Sequence, residues 1–170
     1  MIDKRIFESS LVDLYKSTTI AYPLTTLRQH ATDPIKITNI RWTPFVGVHT
    51  LFVKGLAQSE GAEYNTIILF KNVNYNLNEI KLSASDGGIY TLGKLSLETN
   101  DVAVRCNCLD MKFRFSYFLS LDHSLFGRKP KKYIRVKGSN RPPINQKSLP
   151  GLCKHVIKLI EVLEQANLFK

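Results

Sequence analysis

Apolar and polar positions along the chain change period twice. Phe7, Leu11, Leu14 and Tyr15 fall at i, i+4, i+7 and i+8, which sets an apolar stripe on a short helix. Pro23 and the polar "TTLRQHATDP" then interrupt regular structure. From residue 35 the pattern is that of strands. "IKITNIRW" brings Ile35 and Ile37, then Ile40 and Trp42, while "GVHTLFVKG" and "YNTIILFKNV" are rich in β-branched and aromatic residues. In "SASDGGIYTLGKLSLE", Asp86-Gly87-Gly88 separates two apolar-patterned runs, a hairpin signal. "DVAVRC" continues as a strand into Cys106.

From about Phe113 to Pro150 the period is lost. "FRFSYFLSLDHSLFG" is aromatic-rich, and "RKPKKYIRVKGSNRPPINQKSLPG" mixes cations with proline and glycine, so the stretch reads as a long loop of the kind that carries function. Beyond it, Leu152, Val156, Leu159, Ile160 and Leu163 return to helical spacing. The expected fold class is α+β: a mainly antiparallel sheet of about five strands within 35–106, flanked by N- and C-terminal helices. The chain divides into a β-rich part, 1–94, and a second part, 95–170, that holds the long basic loop 113–150. No internal repeat or low-complexity tract appears.

Charge sharpens this division. The formal balance is +10 over 170 residues, yet it is not spread evenly. Residues 109–152 carry 10 Lys/Arg against 2 Asp/Glu, whereas residues 1–108 are close to neutral. A segment this cationic focuses potential on an acidic partner. A hydrophobic fraction of 44% is enough for a core. No apolar run approaches the roughly 18 residues of a membrane helix, so no membrane partner is expected. "MIDKRIFESS" has charges where a signal peptide would be apolar, so export by that route is not expected either, and the expected location is a virion or the cytoplasm.

The three cysteines fall as Cys106-x-Cys108 and as Cys153, two residues before His155. Three cysteines make no disulfide framework, and these spacings are those of metal ligands. Residues two apart on a strand face the same side, so Cys106 and Cys108 can present both sulfurs together. Cys153 and His155 sit where the chain turns into the last helix. Neighbouring Arg105 and Lys154, with the helix N-terminus, are expected to favour the thiolates. Zinc takes four such ligands in a tetrahedron, and four protein ligands close the site, which makes it structural rather than catalytic.

This Cys-x-Cys…Cys-x-His pattern resembles the SWIM-type zinc finger. "VRCNCLD" is similar to that family's strand into its first pair, and "GLCKHVIKLIEVL" to its second pair running into an apolar helix. The resemblance covers roughly residues 95–167 and implies Zn2+ held by Cys106, Cys108, Cys153 and His155. The 44 residues between the pairs far exceed the short linker associated with the family. A vaguer likeness, in "RPPINQKSLPGLCKH", is to small structural proteins of tailed bacteriophages.

Rival chemistry finds little support. A Cys153/His155 nucleophile–base pair lacks an orienting third group. His123 has no companion at metal spacing, and His30 and His49 offer less. Asp110 and Asp122 stand alone in the basic segment. "SDGG" lacks the lysine and following helix of a phosphate loop. The candidate partner-binding residues are Arg128, Lys129, Lys131, Lys132, Tyr133, Arg135, Lys137 and Arg141, with Phe126 nearby. Cations neutralise phosphates and aromatics stack on bases, but the same cluster suits an acidic protein surface. The expected function is therefore a non-enzymatic structural-zinc protein whose clamped basic loop docks it to protein partners in a larger assembly. The phage likeness implies a virion component of tail, baseplate or neck. The alternative is a SWIM-type module binding DNA or RNA.

Overall fold

The computed structural model describes residues 9–21, 34–136, 138 and 140–170. Phe7, His30 and Lys137 lie outside the described residues.

Helix α1, Leu11–Ala21, starts at a reciprocal cap. The Ser10 hydroxyl accepts from the Asp13 amide at 3.2 Å, and the Asp13 carboxylate accepts from the Ser10 amide at 3.1 Å. Leu11, Leu14 and Thr18 are buried, while Tyr15 of the same stripe stays half exposed.

Four strands form the main sheet: β1 Lys36–Phe45, β2 Thr50–Ser59, β3 Ala62–Phe70 and, after the small hairpin, β6 Val102–Cys106. Their order is β1-β2-β3-β6, every pair antiparallel. Along β2 the alternate residues Leu51, Val53, Gly55, Ala57 and Ser59 face inward, the period-2 pattern of a half-buried strand. β2 and β3 are joined by Glu60-Gly61, both at positive φ, as a two-residue hairpin turn requires. β1 contains an irregularity between Thr38 and Arg41, with Asn39 at φ 51°. The extra residue keeps Ile37, Ile40 and Trp42 against the core despite their uneven spacing.

β4, Ile80–Ser83, and β5, Ile89–Leu92, make a separate two-stranded hairpin. Asp86-Gly87-Gly88 is its turn, as expected: the Asp86 carboxylate accepts from the Gly88 amide at 2.8 Å and from the Tyr90 hydroxyl at 2.7 Å. The fold is thus α+β, with six strands in two sheets among the described residues rather than about five in one.

The start of the expected loop is helical. A π-helical turn, Met111–Phe115, runs into α2, Ser116–Leu121. Met111, Phe115 and Leu119 are buried at four-residue steps. The Ser116 amide bonds the Met111 carbonyl, and the Ser116 hydroxyl donates to the same oxygen at 2.9 Å, which stabilises the widened turn. The chain then covers the outer edge of β6, with Val104 N to Ser124 O at 2.8 Å and Phe126 N to Val104 O at 3.1 Å.

The last helix, α3 Lys154–Gln165, lies across the sheet. Gly55 permits the approach, since a Cβ there would sit 3.0 Å from both Leu159 Cδ1 and Ile37 Cγ2. Beyond α3, Leu168 and Phe169 are buried, and Lys170 N bonds Leu95 O at 2.9 Å. One hydrophobic cluster includes residues from Leu11 to Phe169. Among the described residues, no helix is long and apolar enough to cross a membrane.

Candidate metal centre

β6 ends at Cys106, and two residues later Cys108 lies just ahead of the π-helical turn, its carbonyl accepting from the Lys112 amide at 3.0 Å, so both sulfurs face the start of α3. The intervening Asn107 turns the other way and accepts from the Asn65 amide at 2.8 Å, which ties the Cys-x-Cys turn to β3. Cys153 is the N-cap of α3, in extended backbone conformation, and His155 is the second residue of the helix. The ligand atoms of Cys106, Cys108, Cys153 and His155 all lie within 4.8 Å of one another, and all four residues are buried. The structure brings together the four residues singled out by spacing.

The donor set fits a metal ion. With bond lengths of about 2.3 Å to sulfur and about 2.0 Å to nitrogen, tetrahedral zinc needs donors roughly 3.5–3.8 Å apart. His155 Nδ1 is already 3.8 Å from Cys106 Sγ. The imidazole stacks on Tyr64 with centroids 4.3 Å apart, which fixes the ring plane. Its Nε2 is buried with no hydrogen-bond partner, and an orphan of this kind costs about 1–3 kcal/mol. The Met111 amide donates to Cys108 Sγ at 3.3 Å, a bond that favours thiolate.

The electrostatics point the same way. Hydrogen bonds from Cys106 and Cys153 hold the Cys108 thiol far below its ordinary range, helped by His155 and the Met111 amide against the effect of burial. Cys106 is pushed up to about 12, chiefly through its hydrogen bond with Cys108, and burial drives Cys153 well above the usual range. Burying three thiols this close together opposes ionising all of them, a cost that a bound cation would offset. Four protein ligands would leave no coordination position for water or substrate.

One expectation for this site is corrected. Arg105 does not face the sulfurs: it alternates to the other side of β6, and its Nη1 donates to Phe126 O at 2.8 Å. Lys154 pairs with Glu60 at 3.3 Å. The donors that lower the Cys108 thiol are chiefly the neighbouring sulfhydryls, with His155 and the Met111 amide.

Sequence reasoning missed the residues that fix the return of the long loop. The Ser17 hydroxyl of α1 donates to Pro150 O at 2.7 Å, and the Leu152 amide donates to Thr18 Oγ1 at 2.8 Å. Gly151 fits between them, because a Cβ there would come within 2.4 Å of Phe115 Cε1 and 2.8 Å of Thr18 Oγ1. Buried Asn145 donates to Arg114 O at 3.0 Å and Leu149 O at 2.8 Å. Lys147 Nζ reaches Ile20 O at 3.1 Å, a cation at the C-terminal end of α1. The only local signals were the α-helix-compatible threonine in α1 and the Pro-Gly pair.

The basic residues lie apart from the centre, along the chain after Phe126. Arg128, Lys129, Lys131, Lys132 and Tyr133 are exposed, as is Arg141. Lys129 Nζ lies 5.5 Å from the Tyr117 ring centroid and Lys132 Nζ 5.8 Å from that of Phe118, so both rest on α2. Tyr133 packs on Phe113 with centroids 4.7 Å apart. Arg135 Nε donates to Pro142 O at 2.8 Å and closes the tip of the segment on itself. His49 and His123 are exposed, far from metal geometry with the cluster.

Comparison with protein-family models, with curated proteins and with solved structures returns no match. What can be said of function rests on this chain's own residues.

Proposed function

We propose that the protein is a non-enzymatic structural-zinc protein whose metal centre anchors a basic arm for docking into a larger assembly. The observation that carries this is the position of the Cys3His cluster: it joins both ends of the 44-residue cationic excursion at one buried point. Cys106 and Cys108 would hold the ion from the strand side, and Cys153 and His155 from the helix side. The ion would supply cross-linking bonds and the charge that three thiolates need. Joining the ends of a long loop offsets its closure entropy and sets the direction in which the arm leaves the body.

Zinc is preferred because thiolate-rich tetrahedral sets select it among the common divalent ions. The SWIM-type resemblance supports the same ligand set, and the likeness of "RPPINQKSLPGLCKH" to phage structural proteins supports a virion as the assembly. The alternative is a SWIM-type nucleic-acid-binding module, favoured by the cations of the arm. A salt series separates them. Affinity for DNA or RNA that falls steeply with salt and vanishes with Lys131→Glu and Lys132→Glu supports the alternative. An absence of nucleic-acid binding at low salt, together with an acidic protein that co-purifies, supports the assembly reading.

A further inference from the structure

Residues 131–136 read KKYIRV, between Pro130 and Gly138. Tyr133, Ile134 and Val136 are strand-forming residues, yet the segment belongs to neither sheet. Among the described residues, its backbone amides and carbonyls make no hydrogen bond within the chain. Ile134 is 79% and Val136 82% exposed, the highest values for any large hydrophobic residue described. They are spaced i, i+2, so in a strand both would present to one face, with Tyr133 and Arg135 on the other.

We propose that residues 131–136 are a donor strand that adds to the open sheet edge of an acidic protein partner. This rests on the reading of the arm as a docking element and deepens it by naming the partner's chemistry. Unpaired backbone groups supply the ladder, as in recognition by strand addition, and alternate side chains supply specificity. Ile134 and Val136 need an apolar strip on the partner, while Lys131, Lys132 and Arg135 need carboxylates beside it. Nucleic acid suits this surface less well. Single strands bind through exposed aromatic faces, whereas Tyr133 already packs on Phe113 and the most exposed side chains are aliphatic. Net charge of +10 also opposes pairing of the arm with a second copy.

The test is fluorescence anisotropy of the full zinc-loaded chain with three labelled probes: an alternating Glu-Val dodecapeptide, poly-glutamate of equal charge, and a single-stranded DNA oligonucleotide of equal charge. The expected result is tightest binding of the alternating peptide, with at least a tenfold loss for Ile134→Pro and for Val136→Pro. Proline removes a ladder amide but no hydrogen bond of the free chain, so both variants should keep the wild-type Tm. Hydrogen exchange at 131–136 should slow only when the alternating peptide is bound. Equal binding of all three probes, insensitive to either proline, would overturn strand addition while leaving the basic docking arm in place. Preference for the oligonucleotide would overturn it in favour of nucleic acid, and dimers of the free chain lost with Val136→Pro would do so in favour of a second copy. Binding of no probe at low salt would overturn the docking arm itself.

Discussion

The two ends of the 44-residue excursion and its middle are built on opposite terms. At the ends, side chains are buried and held from several directions: Cys108 by its sulfur neighbours and the Met111 amide, Leu152 by Thr18, Asn145 by two carbonyls. In the middle, Ile134 and Val136 face solvent, and among the described residues the backbone of 131–136 has no hydrogen-bond partner. The difference separates two jobs. Buried contacts are concentrated where the excursion leaves and rejoins the body, and the tip presents exposed groups that should add little to folding.

The contrast is broken most severely at the metal. Cys153→Ser should abolish metal binding and melt α3 from the sheet. The expected cost is a large part of the roughly 10–16 kcal/mol that a structural zinc contributes, lowered because the sheet retains its own core. Thermal unfolding and far-UV circular dichroism, with and without a chelator, check this. A variant with unchanged Tm would remove the centre from the account.

Gly151→Ala comes next. The added Cβ meets the Phe115 ring and Thr18 Oγ1 far inside contact distance, in a place where backbone and ring are both packed. About 2–3 kcal/mol of destabilisation is expected from overpacking, read as a shift in denaturant midpoint. Thr18→Val should cost somewhat less, about 1–3 kcal/mol, because it keeps the shape but leaves the buried Leu152 amide without an acceptor. Both substitutions lie in or against α1, so they also ask whether the N-terminal helix is part of the clamp.

At the tip the expectation is the reverse. Lys131→Glu and Ile134→Ser should change stability by no more than about 0.5 kcal/mol. Hydrogen exchange sharpens the same contrast, with amides at Met111 and Leu152 protected close to the global level and those of 131–136 exchanging fast. Slow exchange at the tip of the isolated chain would mean that the middle is held as firmly as the ends.

Much of the site was legible because its signal is local. Two ligand pairs at fixed spacing, one ending a strand and one opening a helix, can be read without knowing the fold. Ile37, Ile40 and Trp42 were readable as inward-facing, but the bulge at Asn39 that reconciles their spacing was not. Helix α2 was hidden because the turn that leads into it is π-helical and adjacent aromatics such as Phe113 and Tyr117 obscure the Met111-Phe115-Leu119 series. The contribution of α1 was out of reach for a different reason. Ser17 and Pro150 are 133 residues apart, and nothing in either short stretch announces the other. Arg105 illustrates the converse: adjacency to Cys106 suggested an electrostatic role, and strand alternation turned it away.

The central claim is that a metal ion holds the ends of the excursion together. Native mass spectrometry of the purified chain, with elemental analysis, tests it most directly. The account predicts one zinc ion per chain, lost together when Cys106, Cys108, Cys153 or His155 is replaced. A chain that is metal-free yet folded, with α3 intact, would contradict it.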